Sequence, residues 1–368
     1  MGRWRSLAIL VLACSALVGC RKTRGETPSK AGSSYARQYP PRVASSSVRW
    51  VVSEGGAAGF LPAPEGGSTS FHLVGDERGA LSVSRQQTGQ FSLAVDPPAV
   101  CKVLRALSGI DHKRLSLDVT HMGSLDTPGA ACIRAFAPSA LSFATNGQLG
   151  PTEVDLLTHL DGCEAIGVSY QSDEVAKLLG SRAKEPDTAS LRTINLVMGQ
   201  ISAEGFAALA QRKNLRELGF RGISAKSRPS GIAVLAELPE LERLDLSFGP
   251  INDDELASFA RATTLRWLSL ESTAVGDAGV LPIATRLTAL EYVSLMFTKV
   301  TDTSVEALAK LPRLRWLRLS GTHVTPKVLD ALTRSTTLEV LELPATARGP
   351  GVDACRAAHP KVELRVDE

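Results

Sequence analysis

The residues able to do covalent or metal chemistry in this 368-residue chain are few and scattered. Its six histidines, His72, His112, His121, His159, His323 and His359, stand far apart. Proton transfer or metal ligation needs several such groups converging on one point, and only Asp111, His112, Asp118 and His121 lie close in sequence. That set straddles one expected strand and its exit, so it makes a poor cage. The chain has no G-x-S-x-G, H-E-x-x-H, phosphate loop or C-x-x-C. The expectation is therefore a non-enzyme with no catalytic residues, no metal and no cofactor. What remains is binding chemistry: Trp267, Tyr292 and Trp316 recur at steps of 25 and 24 residues, and large aromatic side chains supply much of the energy of protein interfaces.

A spacing that regular needs a repeated element to carry it. From Leu265 to Leu343 one phrase occurs four times, as Leu265-Arg-Trp-Leu268-Ser-Leu270, Leu290-Glu-Tyr-Val293-Ser-Leu295, Leu314-Arg-Trp-Leu317-Arg-Leu319 and Leu338-Glu-Val-Leu341-Glu-Leu343. After the first three come Thr273-x-Val275, Thr298-x-Val300 and Thr322-x-Val324. A fixed period of this size means a solenoid. The alternation places Leu268 and Leu270 inward and Trp267, Ser269 and Glu271 outward. Apolar pairs at i, i+3, such as Val280 with Ile283 and Val305 with Leu308, then predict a short helix in each repeat. Asp253, Asp277 and Asp302 are expected to cap those helices, and Pro326 to open another.

These phrases resemble the leucine-rich-repeat family in its bacterial L-x-x-L-x-L-x-x-T-x-V form, with Thr273, Thr298 and Thr322 where the family usually carries Asn. The resemblance implies an α/β solenoid of the ribonuclease-inhibitor type: a parallel sheet on the concave face, short helices on the convex face, and a long preformed binding surface. Apolar-x-apolar strand cores are expected at 91/93, 115/117, 141/143, 166/168, 194/196, 218/220, 244/246, 268/270, 293/295, 317/319 and 341/343, giving about eleven strands, with Val362-Glu-Leu364-Arg-Val366 as a closing strand.

The outward column Thr193, Glu217, Arg243, Trp267, Tyr292, Trp316, Val340 puts three aromatics side by side. Arg318 flanks Trp316 and Glu271 flanks Trp267. The candidate contact surface is therefore Trp267, Tyr292, Trp316, Arg318, Glu271 and Arg243. The same arrangement also suits rings that merely cover one another and the sheet, and both readings stay open here. Arg266, Glu291, Arg315 and Glu339 alternate in sign at the strand entrance and read as mutual neutralisation, worth little per pair.

Organisation upstream follows from composition. Arg3 and Arg5 precede an apolar run from Leu7 to Val18, the pattern of an export signal over residues 1–19. Leu17-Val18-Gly19-Cys20 resembles the bacterial lipobox, which implies cleavage before Cys20 and lipidation of its thiol, hence a membrane anchor. Arg21 after that cysteine points to the outer membrane. Residues 20–47 read as the lipidated cysteine and a flexible tether, 48–90 as a β-rich N-terminal cap, and 91–368 as the repeat domain: degenerate over 91–190, regular over 191–343, capped over 344–368. With the signal removed, 41 basic residues less Arg3 and Arg5 leaves 39 against 38 acidic, so no electrostatic case exists for nucleic acid. Of the remaining cysteines, Cys355 lies about seven repeats from Cys163, roughly 30 Å or more, too far for a bond of about 6 Å between Cα atoms. At most one disulfide is expected among Cys101, Cys132 and Cys163. The functional expectation is a lipid-anchored, protein-binding scaffold of the bacterial cell envelope; the rivals are a carbohydrate or peptidoglycan binder and a structural envelope lipoprotein.

Overall fold

The computed structural model describes short strands between Arg49 and Val119, residues 100, 101 and 104, and residues 126–367 apart from 146–148, 160, 171–172, 187–188, 226–229 and 359. The signal, the tether and Cys20, together with Asp111, His112 and His121, lie outside the described residues. No helix among the described residues is long and apolar enough to cross a membrane.

A 14-stranded sheet dominates. From Phe91–Val95 to Glu363–Val366 every neighbouring pair is parallel, and Thr69–His72 and Ala80–Arg85 join antiparallel at the far edge. Ala80–Arg85 pairs the first parallel strand along its otherwise open side. From Leu115–Val119 onward each strand of the sheet connects to the next through a short helix, so this part of the chain is a leucine-rich-repeat solenoid.

The inward leucines explain the stack. Ile194, Leu218, Leu244, Leu268, Val293, Leu317 and Leu341 are in register from strand to strand, and all are buried between the sheet and the helices. Burial of a leucine side chain contributes about 1.5–3 kcal/mol, and repeating it at each layer makes one continuous core. Register differs from the expected spacing at one place. Leu141 pairs with Leu117 and Phe143 with Val119, and Leu117 in turn pairs with Leu93, so the core pairs of the first two repeats are 93/95 and 117/119 and not 91/93 and 115/117. A two-residue shift keeps every side chain on its face, and Leu117 and Val119 are both buried.

From Glu217–Gly219 to Trp316–Arg318 the strands are only three residues long, as in Trp267–Ser269 and Tyr292–Ser294. The turn that follows is built alike in three successive repeats. Thr273, Thr298 and Thr322 donate their hydroxyls to the carbonyls of Leu270, Leu295 and Leu319 at 2.7, 2.6 and 2.6 Å. Threonine therefore closes its own turn, which accounts for its presence where the family usually carries Asn.

The aspartates do a different job from the one expected. Caps of the helices Asp253–Ser258, Asp277–Arg286 and Asp302–Leu308 are Asn252, Gly276 and Thr301, one residue earlier. Asp253 instead accepts from Gly276 N–H at 2.6 Å, Asp277 from Thr301 N–H at 2.9 Å, and Asp302 from Thr325 N–H at 2.7 Å. Each carboxylate sits at the first helical position, where the dipole suits it, and ties its repeat to the start of the next helix.

Candidate functional site: the open face of the sheet

On the face away from the helices, Trp267, Tyr292 and Trp316 are paired partners in adjacent strands. Trp267 and Tyr292 stack with centroids 4.8 Å apart and planes within 10°; Tyr292 and Trp316 lie 6.0 Å apart, tilted by 43°. Strand spacing of about 4.8 Å forces neighbouring rings into contact, and such pairs add roughly 0.5–1.5 kcal/mol beyond burial. Arg243 closes one end, its guanidinium 4.7 Å from the Trp267 ring and 3.5 Å from Glu217.

The ladder is real, but most of it is covered. Trp267 is 5% exposed and Tyr292 4%; only Trp316 is half-buried. The indole nitrogens of Trp267 and Trp316 are buried without a hydrogen-bond partner. Burial pushes the Tyr292 hydroxyl above its ordinary range, and Arg318 beside it offsets part of the rise. Arg318 is itself engaged by Glu342 at 2.6 Å, and Glu342 also accepts from Arg365 at 2.9 Å. The sheet face thus carries a fixed aromatic and ionic floor. Glu271 is half-buried, in the outward column two residues beyond Ser269. The strand-entrance row pairs as expected, Arg266 with Glu291 at 3.2 Å and Arg315 with Glu339, in partly exposed positions of little worth.

Accessible rings occur on the opposite margin, five residues further along each repeat. Phe248 is 45% exposed, Phe297 58% and Tyr170 50%. All three have left-handed backbone, with φ of 58°, 54° and 55°. They belong to one column, Tyr170, Met198, Gly222, Phe248, Ser272, Phe297 and Gly321, and every member has positive φ. A non-glycine residue there costs roughly 1–2 kcal/mol, yet the chain places bulky apolar side chains in it. Arg221 covers the Phe248 ring at 5.0 Å, and the Phe297 ring occupies the space a side chain at Gly321 would need. Sequence reasoning missed this row; its signal was Gly222 and Gly321 in one column with Tyr170, Phe248 and Phe297.

Cys101 and Cys132 form a disulfide, which resolves the open choice among three cysteines. Cys163 and Cys355 are free and buried, as expected for Cys355. Burial pushes the Cys163 thiol up to about 12, leaving it protonated and unreactive at neutral pH. Among the described residues no group of three or more His, Cys, Asp or Glu side chains is placed to hold a metal.

No protein-family model matches the chain, and no curated protein sequence matches it. Solved structures do, among them an internalin (inlF) from Listeria monocytogenes, at 16% sequence identity and a TM-score of 0.41, covering 75% of this chain and 73% of that one. The fold class rests on this chain's own register and repeated turns rather than on that likeness.

Proposed function

We propose that this chain is a non-enzymatic, protein-binding scaffold, lipid-anchored through Cys20 at the outer membrane of a bacterial cell envelope. The observation that carries the binding reading is the exposure of Phe248 and Phe297, held in left-handed backbone at the margin of the sheet. Strain of that kind persists where the surrounding structure over-determines it, and it clusters at functional positions. A solvent-exposed Phe in such a conformation contributes nothing to the core that would offset its cost.

The contact surface then has three parts. Trp267, Tyr292 and Trp316, with Arg243 and Arg318, form a rigid floor whose shape is set before any partner arrives, which lowers the entropic cost of association. Glu271 supplies a charged group beside that floor. Phe248 and Phe297 are the anchors that a partner's apolar pockets would cover. Mixed charge in the columns between favours a protein over a glycan.

The experiment is affinity capture from envelope extract with the full chain and with a Trp316→Ala/Phe248→Gly/Phe297→Gly variant of equal circular dichroism. The expected result is a protein retained by the wild type and lost with the variant. Equal retention moves the contact off this face, and retention of peptidoglycan in place of protein turns the reading to the glycan-binding rival. Anchoring has a separate test: Cys20→Ala should release the protein from the membrane fraction, and unchanged partitioning would remove the lipid reading.

A further inference from the structure

The parallel sheet reaches an open edge, among the described residues, at Glu363–Val366. This strand is bonded on one side only, to Val340–Leu343. Glu363 N–H donates to Glu339 and Asp367 N–H to Leu343, so the odd-numbered residues face the sheet. By the alternation of strand hydrogen bonds, the N–H and C=O groups of Val362, Leu364 and Val366 face outward along the free edge. The side chains of those three are only half-buried, packed against the core on one side.

Charge on an edge strand ordinarily blunts pairing, but the order of signs here is self-complementary. Reading Lys361-Val-Glu-Leu-Arg-Val-Asp367 against itself antiparallel, about a two-fold axis at Leu364, places Lys361 opposite Asp367, Glu363 opposite Arg365, Val362 opposite Val366, and Leu364 opposite Leu364. Leu364 and the Val362/Val366 pairs fall at hydrogen-bonded positions, because theirs are the free backbone groups. The charged pairs fall at the non-hydrogen-bonded positions, where side chains come closest. Slipping the register by two in either direction sets Glu363 against Glu363 or Arg365 against Arg365. Within one copy Arg365 already pairs with Glu363 and Glu342, and Asp367 accepts from Ser320 Oγ and Gly321 N–H, so the opposite charges across the axis add to contacts already made. This register satisfies the free backbone groups without setting like charges together, and its neighbours are penalised.

We propose that Glu363–Val366 pairs antiparallel with the same strand of a second copy of this chain, joining two sheets edge to edge in an isologous dimer. The contact is self-complementary, as a two-fold interface requires. A strand this short buries less than the roughly 1,200 Å² of stable interfaces, so the association is reversible and concentration-dependent.

Sedimentation of the full chain over a wide concentration range tests it. Wild type should shift from monomer to dimer as concentration rises. Glu363→Arg and Arg365→Glu each set like charges across the axis, and each alone should lose at least tenfold in association constant. An equimolar mixture of the two single variants restores every opposite pair and should recover a heterodimer. Val366→Pro removes an edge-facing N–H without touching the bonds to Val340–Leu343, so it should abolish the dimer even if Arg365→Glu, which also faces Glu342, fails to fold. A wild type that stays monomeric at all concentrations would overturn the proposal. So would a Glu363→Arg or Val366→Pro variant that associates like wild type, or folded single variants whose mixture fails to recover.

Discussion

The two ends of the solenoid hold neighbouring repeats together by different means. Toward the N-terminus, Cys101 on the helical segment with Val100 and Leu104 is bonded to Cys132 in the helix Thr127–Phe136, a covalent tie between adjacent repeats. From Asp253 onward the same junction is made by carboxylates: Asp277 accepts from Thr301 N–H and Oγ1 and from Ser304 Oγ, at 2.9, 2.5 and 2.5 Å, and Asp302 repeats the arrangement with Thr325. Asp173 already does so with Ser202 at 2.8 Å, where the degenerate repeats meet the regular ones. Where the leucine phrase is regular the repeats need only polar latches. Where it is degenerate the chain adds a disulfide. A one-dimensional array is as stable as its junctions, so the difference tells which junction fails under which stress.

The largest effect should come from breaking the covalent tie. Cys132→Ser frees a loop of 31 residues, which in the chain-entropy account costs about 3–4 kcal/mol. Because coupling passes only between neighbours, the loss should be confined to the N-terminal repeats. Hydrogen exchange in the variant, or in wild type under reductant, should rise around Thr127–Phe136 and stay unchanged around Trp316–Arg318. Uniform acceleration along the chain would mean that the two ends are one cooperative unit.

Removing a latch should cost somewhat less. Asp277→Ala leaves three donors without their acceptor, and hydrogen bonds to a charged group contribute about 1.5–3 kcal/mol; a loss of about 2–3 kcal/mol is expected by denaturant titration. Burial alone raises the Asp277 carboxyl, but the hydrogen bonds from Ser304 and Thr301 outweigh it and hold the group below its ordinary value. The same holds for Asp173, through Lys177 and Ser202. A depressed carboxyl contributes stability in full above its unfolded value and loses it as pH falls through the folded one. Acid should therefore loosen the junctions at Asp173 and Asp277 while the disulfide still holds Cys101 to Cys132, the reverse of reductant. Asp277→Asn should flatten the acid limb of the stability curve, and an unchanged limb would show that the latch does not titrate as described.

The repeat was legible in the sequence because leucine is demanded at fixed inward positions and nothing else fits them. The 115/117 assignment slipped because Leu115 and Leu117 satisfy the alternation equally, and only the partner strand chooses between them. The latches were hidden for a related reason: a helix-start aspartate looks the same whether it caps its own helix or reaches the next one. Trp267, Tyr292 and Trp316 are legible as an outward column, but the alternation alone leaves open whether the rings are exposed or cover one another, and the structure covers Trp267 and Tyr292. Rings on strands about 4.8 Å apart shield one another, and Arg243 shields the end. Phe248 and Phe297 were missed because local propensity argues against them in left-handed backbone.

A smaller effect should separate floor from latch. Tyr292→Phe keeps the stacked ring and removes the hydroxyl beside Arg318, at a cost of about 1 kcal/mol. Partner retention should be nearly unchanged, since the group is buried. Loss of capture with intact stability would instead mean that the ladder opens to meet its partner.

The smallest change in stability should carry the largest change in binding. Phe297→Gly replaces a strained left-handed residue with the one that adopts φ of 54° freely. The relief of about 1–2 kcal/mol is offset by the greater backbone entropy that glycine loses on folding, about 0.5–1 kcal/mol, and by the contact with Gly321. Melting temperature should stay level or rise by a few degrees, while a purified partner should bind at least tenfold more weakly. The Phe297 ring covers Gly321, so the opposite pattern, a clear loss of stability with binding retained, would make Phe297 a shield for the turn and leave Phe248 as the anchor on this margin.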